Sequence, residues 1–428
     1  MMKKYDVLIV GGGTSGCACA YIAGKLGLKV LLIESNSYLG GSMTSSLVIP
    51  AMKTSDNAIN TEFFNALYKE LKKEGGAITY SDGNKGWFNP ELLKIILDKM
   101  MKDVNVDVLF ETNIIKIDKK LLSYTVTICN NNLSTLKSEL LSCIDSINIV
   151  DATGDAKIFQ NFENIFSDKN FKIEFLENEN KTQPVNLRFI MSGVNSKEFS
   201  DWLLKFDNNR DVSTACTIDG YAYFSTAYTW DTNTNWALKP LFKQGIEEGV
   251  ITEEDSNYFQ IFSIAGTPDS VGFNCPRILN SNISRTEAYI KGRESILRLS
   301  KFCKKYLKGF KNAYISNIAN TLGVRVSNRV KCKYVYTSED LKSGKKFDNP
   351  VLVSNYPIDV HSNAKNNSKL EKVYQEYQLP LESLIVSDNL FVIGRSISAD
   401  FEAQAALRII PSCFSMGEGL ARYLAKTK

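Results

Sequence analysis

The chain contains a single histidine, His361, in the stretch NYPIDVHS, and it is the one side chain whose ordinary pKa lies close to neutrality. Such a ring could carry a proton to or from a reacting centre. A solitary loop histidine serves equally as a structural hydrogen-bonder, and the residue alone leaves both readings open. Arg325 and Arg329 in GVRVSNR stand four apart, so they would share a helix face or straddle a turn. A planar guanidinium offers paired donors, so the two could grip a substrate carboxylate or steady an oxyanion; salt bridging at a surface is the competing role. Arg188 in PVNLRFI, Arg277 in NCPRI and Arg395 are further cationic candidates, each as well suited to a domain interface.

A second kind of chemistry is written near the N-terminus, in YDVLIVGGGTSGCACAYIAGKLGLKVLLIES. Gly11, Gly13 and Gly16 fit G-x-G-x-x-G, and Glu34 closes the next strand about 20 residues on, as a dinucleotide cradle requires. Gly11 allows the tight turn, Gly13 lets backbone approach a pyrophosphate, and Gly16 lets helix pack on strand. The helix N-terminus then faces the diphosphate. Glu34 would accept hydrogen bonds from ribose hydroxyls, which argues against a 2′-phosphate there. The loop alone does not separate FAD from NAD. Gly40 and Gly41 in YLGGSMTSS, directly after the Glu34 strand, would let the chain run along an extended dinucleotide, or they make a simple hinge.

These residues need elements to hold them. YDVLIVG and LKVLLIES read as strands buried on both faces of a parallel sheet, with a small-residue helix between them. FNPELLKIILDKMMKD reads as a helix capped by Asn89 with Pro90 in its first turn. VDVLFETNIIKID returns as strand, and SYTVTI through SCIDSINIV suggests an antiparallel meander turning at the asparagine run NNN. After about Phe166 the rhythm becomes irregular. Residues 284–306 read as an amphipathic helix opened by a Ser284–Glu287 capping box, and HSNAKNNSKLEK as a solvated loop. DNLFVIGRSIS resumes the style of the first strands, followed by a helix begun near Pro411. The expected organisation is residues 1–165 and 376–428 as one domain, with 166–375 inserted as a second. Trp87, Trp202, Trp230 and Trp236 read as core or interface residues.

Length and composition agree with two domains: 428 residues with 44% hydrophobic content exceed one ordinary core. A net charge of +4, spread evenly, gives nucleic-acid binding no support. Nine scattered cysteines without a CxxC suit buried free thiols in a reducing compartment. Lys3, Lys4 and Asp6 lead straight into a strand, and no apolar run has membrane-spanning length. A soluble cytoplasmic protein without a membrane span is expected.

The motifs VGGGTSGCACA, YLGG, IVDATGDA, LGVRVSNR, YPIDVH and NLFVIGRSISADFEAQAALRIIPSCFSMGEG together resemble the FAD-dependent oxidoreductases of the glutathione-reductase-like group, in the branch related to fumarate-reductase flavoproteins. The resemblance runs end to end and is most specific at both termini. It implies an α/β fold: a Rossmann-like FAD-binding domain with a three-stranded β-meander, and an inserted mixed α+β substrate domain over the flavin. Carried over by residue, it implies that Gly11, Gly13, Ser15 and Gly16 hold the diphosphate and Glu34 the adenosine ribose. Gly41 and Ser42 would continue along the cofactor. Ile114 would meet adenine, Thr153 and Gly154 would lie near the adenosine end, and Gly394 and Arg395 would stand beside the ribityl chain. The helix from Pro411 would aim its positive end at the reduced flavin.

The family's attachment histidine is absent, so FAD is expected to be non-covalent. The redox-active CxxxxC and a second glycine motif for NAD(P)H are absent too, and Val326 replaces the glutamate that usually follows the first arginine. The expected function is hydride transfer between FAD and a small-molecule substrate, with Arg325, Arg329 and His361 as the catalytic candidates. An NAD-dependent dehydrogenase and a flavin-binding protein without turnover stand as alternatives.

Overall fold

The computed structural model describes residues 3–79, 86–130, 140–168, 171–177, 181–208, 213–226, 237–279, 283–361 and 369–428. The asparagine turn beyond Asn130, most of the expected loop after His361, and Trp230 and Trp236 lie outside these residues.

Strand β1 (Lys3–Val10), helix α1 (Thr14–Lys25) and strand β2 (Val30–Ile33) form the expected βαβ unit. β1 pairs in parallel with β2 on one side and with Leu140–Asp151 on the other. Val7, Leu8, Ile9 and the whole of β2 are buried, as suits strands covered on both faces. Beyond β2 lies Asp107–Leu109, and beyond Leu140–Asp151 lie Leu390–Val392 and Ile385–Ser387. The last part of the chain therefore completes the sheet that the first part begins.

Leu140–Asp151 leads a double life. Its first half pairs antiparallel with Tyr124–Asn130, which pairs with Thr112–Lys119, so these three strands form a meander; its second half joins the parallel sheet. VDVLFETNIIKID is not one strand. It breaks at Phe110 and Glu111, and Glu111 takes φ +49°, the turn that lets the chain leave the parallel sheet for the meander. The capping readings match: Asn89 Oδ1 accepts from the amides of Glu91 and Leu92 ahead of Pro90–Asp103, and Ser284 and Glu287 form a reciprocal capping box on Arg285–Tyr306.

The stretch that reads as irregular holds a six-stranded antiparallel sheet, ordered Ser213–Ile218, Tyr221–Thr226, Ile261–Ile264, Thr267–Phe273, Phe189–Ser192 and Tyr314–Ile318. One buried cluster runs from the helix side of the parallel sheet into this second sheet. Trp87 packs on Phe262 with ring centroids 5.3 Å apart, and Trp202 lies against Phe199 and Phe206. No helix among the described residues is long and apolar enough to cross a membrane. All nine cysteines are free, six of them buried.

Candidate active site

A cleft of about 490 Å³ is lined by the β1–α1 loop, the β2 end, the Asp151 turn, residues that flank the strands of the second sheet, and the start of the C-terminal helix Ile410–Lys426. Gly11, Gly13, Ser15, Glu34, Gly41, Ser42, Ile114, Thr153, Gly154, Gly394, Arg395, Arg325 and His361 all line it. Gly16 and Arg329 do not.

Gly11 has φ +106°, and a Cβ there would fall 2.6 Å from the Ala152 carbonyl oxygen, so no other residue fits without strain. Gly41 has φ +52° and would drive a Cβ to 2.6 Å from Gly13 Cα; the two glycine turns are packed backbone to backbone. Gly13 differs, since a Cβ built on it meets nothing nearer than 3.9 Å. The space before it belongs to the cleft. Gly16 sits behind, and its Cβ would lie 2.0 Å from the Gly11 oxygen, which makes it the contact that lets α1 seat on β1. Glu34 Oε2 accepts from the Gly12 amide at 2.8 Å, and Oε1 accepts from the Asn36 amide and side chain. The acid is thus fixed at the cleft edge by backbone donors.

The opposite strand end is organised by Asp151, fully buried, whose carboxylate accepts from the Thr153 amide and hydroxyl and from the Ile158 amide. This holds the Thr153–Gly154 turn open toward the cleft. Arg395 donates to Asp155 Oδ1 at 2.6 Å and to the Val324 carbonyl at 3.0 Å, and Ser327 Oγ donates to the Gly154 carbonyl at 2.6 Å. Gln404, buried on the helix Phe401–Leu407, donates to the carbonyls of both Arg325 and Arg395. The GVRVSNR loop is therefore clamped between the DATGD turn and the C-terminal segment.

GVRVSNR is neither a helix nor a simple turn. Arg329 begins a short strand paired with Phe175–Leu176, is 1% exposed, and donates to the carbonyls of Ala399 and Glu177. The guanidinium of Arg329, expected to share a grip with Arg325, joins these segments and does not line the cleft. Arg325 instead lines the cleft, donating to the Pro184 carbonyl at 2.7 Å and Asn186 Oδ1 at 2.5 Å.

Around His361 the fold gathers three more arginines. The pairing of Val185–Asn186 with Arg277–Ile278 brings Arg188 and Arg277 to one wall. Asn274 Oδ1 accepts from Arg188 Nε at 2.7 Å, and Arg277 lies over the Tyr258 ring at 4.2 Å. Arg408, at the end of Phe401–Leu407, donates to the Asp359 carbonyl at 3.0 Å and to its Oδ2 at 3.2 Å. His361 Nδ1 lies 2.6 Å from Arg277 Nη2, and its Nε2 lies 3.2 Å from Asp359 Oδ1. Arg408 thus contacts the Asp359 carboxylate, and the charges of Arg325 and Arg277 act on it as well. Arg188 Nη1 and Arg408 Nε are buried without a hydrogen-bond partner among the described residues.

Burial lowers the pKa of Arg325 far below its ordinary value, aided by the charges of Arg408, Arg277 and Arg188. Burial also brings Arg188 down to about 10 and lowers Arg277. His361 falls to about 3, first through burial and then through repulsion by Arg325. Burial alone would raise the Asp359 carboxyl, but His361, Arg408 and Arg325 hold it below the usual carboxylate range.

Sequence reasoning did not single out Arg408, Asp359, Tyr258, Asn274 or Gln404. Asp359 stood two residues before the histidine, and Gln404 was the one amide in the helical run FEAQAAL; those were the only local signals. Among the described residues no group of His, Cys, Asp and Glu could hold a metal ion.

A family model described as FAD dependent oxidoreductase matches residues 6–426, and the chain belongs to that family, with FAD as its cofactor. Among curated proteins it is similar to dihydrolipoyl dehydrogenase 3 of Pseudomonas putida, 41% identical over 68 residues, covering 14% of this chain and 15% of that protein. It is also similar to cinnamate reductase of Clostridium sporogenes, 43% identical over 68 residues, covering 16% of this chain and 10% of the relative. The matches thus span less than a sixth of these relatives' own lengths. Among solved structures it is similar to p-nitrophenol 4-monooxygenase from Pseudomonas putida, with TM-score 0.45 and 10% identity over 100% of this chain and 80% of that one.

The residues present fit the cofactor. The open space at Gly13, the close backbone packing of Gly11 and Gly41, and a C-terminal helix whose first turn has no side-chain cap yet borders the cleft are what a diphosphate and an electron-rich ring system need.

Proposed function

We propose that this protein is an oxidoreductase that moves a hydride between non-covalently held FAD and a small anionic organic substrate. The observation that carries the reading is that one cleft joins the glycine cradle to the guanidiniums of Arg188, Arg325 and Arg408, with the Asp359 carboxylate beside them. FAD, when bound, supplies the hydride-accepting or hydride-donating centre.

The chain's own residues do the rest. Gly11, Gly13, Ser15, Gly41 and Ser42 receive the diphosphate stretch, with Gly16 seating the helix behind them, and Glu34, Ile114, Thr153 and Gly154 receive the adenosine end. Gly394 and Arg395 stand at the ribityl side, where Arg395 also keeps the DATGD turn and the GVRVSNR loop together. Arg188, Arg325 and Arg408 hold the substrate anion; unpaired buried donors cost free energy until an acceptor arrives, and a carboxylate satisfies them bidentately. Residues 166–375 supply Arg188, Arg277, Arg325 and His361 and act as the substrate domain, with Arg408 reaching in from the C-terminal part of the FAD domain.

The test is purification followed by acid precipitation and anaerobic stopped-flow reduction. The expected result is a yellow protein that releases FAD into the supernatant and whose flavin is reduced by an anionic substrate but not by its amide analogue. A colourless protein indifferent to FAD would overturn the reading.

A further inference from the structure

We infer that His361 is a positioning residue: a neutral ring locked in one tautomer between Asp359 and Arg277, which fixes where the Arg277 guanidinium points. The inference rests on the hydride-transfer reading only for its kinetic consequence; the tautomer itself follows from geometry. A guanidinium has donors and no acceptor, so at 2.6 Å from Arg277 Nη2 the His361 Nδ1 must be the bare, accepting nitrogen. The ring proton then lies on Nε2, which faces Asp359 Oδ1 at 3.2 Å. Asp359 is itself held by Arg408, and the His361 amide donates to Gln183 Oε1 at 3.0 Å. Tyr258 closes the fourth side, its ring edge-on to the histidine at 6.0 Å and beneath Arg277 at 4.2 Å.

Burial and the charges of Arg325 and Arg277 oppose protonation of this ring and outweigh the pull of Asp359. The charged and titratable groups that face it are Arg277, Arg325, Asp359, Arg408 and Tyr258. Protonating Nδ1 would set two donors head to head at hydrogen-bond distance and break the bond that orients Arg277. A proton-carrying histidine must gain and lose that proton during turnover, and this one has both nitrogens committed. Its use is directional: it transmits the fixed position of Asp359 to one edge of the Arg277 guanidinium, whose face rests on Tyr258.

Because His361 is the only histidine, the full-length protein labelled with 15N-histidine gives one unambiguous pair of ring nitrogen signals. The expected spectrum, with FAD bound or removed, is a protonated Nε2 and a bare Nδ1, unchanged from about pH 5 to pH 8. Conversion to the imidazolium within that range, or a proton on Nδ1, would overturn the inference. In anaerobic flavin reduction, His361→Asn retains an acceptor at the Nδ1 position and is expected within about tenfold of the wild-type rate, while His361→Ala loses about a hundredfold through misplacement of Arg277. Equal losses in both variants, or no loss in either, would overturn it. A protein that no substrate reduces would sink the hydride-transfer reading, and the nitrogen spectrum would still decide the tautomer.

Discussion

At the residue scale, two glycines of one motif have opposite duties, and substitution separates them. Gly13→Val enlarges a position that faces open space, so the fold persists while the diphosphate site is filled; flavin content after purification is expected to vanish with the melting temperature of the FAD-free protein nearly unchanged. Gly16→Val strikes the Gly11 oxygen from behind and is expected to destabilise the protein by about 1–3 kcal/mol or more, the usual cost of overpacking. Denaturant titration of both variants checks the contrast. Arg188 gives a third case. An incompletely paired buried guanidinium costs stability, so Arg188→Met is expected to leave stability unchanged or raised while cutting substrate-driven flavin reduction by at least about tenfold, with FAD retained. The glycine signals were legible because a turn's chemistry is local. The arginine cluster was not, because Arg188, Arg277, Arg325 and Arg408 come from four distant segments and only the pairing of Asn186 with Arg277 brings two of them together.

At the element scale, caps and proline starts could be read directly, since each involves residues within one turn of each other. The six-stranded sheet could not. Its neighbours Phe189–Ser192 and Tyr314–Ile318 are far apart in sequence, and strands such as TPDSVGF carry polar residues, proline and glycine. The long helix Arg285–Tyr306 is fastened to that region through Asp255, which accepts from Arg298 Nε at 2.7 Å, from the Thr252 amide and hydroxyl, and from Ser295. Burial pushes this carboxyl upward, but those donors and the Arg298 charge bring it below its ordinary value. A depressed carboxylate contributes stability above its unfolded pKa, near 4, and loses it as pH falls through the folded value. Asp255→Asn is therefore expected to cost about 2 kcal/mol at pH 7, less than a fully buried pair because Arg298 is a third exposed. The difference should shrink steadily below pH 4, as urea titrations along the pH series would show.

At the scale of the whole molecule, the cleft proposed to hold FAD is assembled from the beginning, the middle and the end of the chain, so cofactor binding there would be linked to folding. Free FAD at a hundred times its dissociation constant is expected to stabilise the wild type by about 2.7 kcal/mol, visible as a rise in melting temperature that Gly13→Val does not share. The strand Leu390–Val392 also has a consequence in time. It supplies the outer parallel neighbour of Leu140–Asp151, and Gly394, Arg395, Arg408 and Cys413 line the cleft after it. During synthesis, which runs from the N-terminus, the end of the strand Leu140–Asp151, Ile149 to Asp151, waits through more than half the chain with one edge uncovered. The nascent protein must keep that edge from other partners, and the flavin can be captured only once the last wall of its site has left the ribosome.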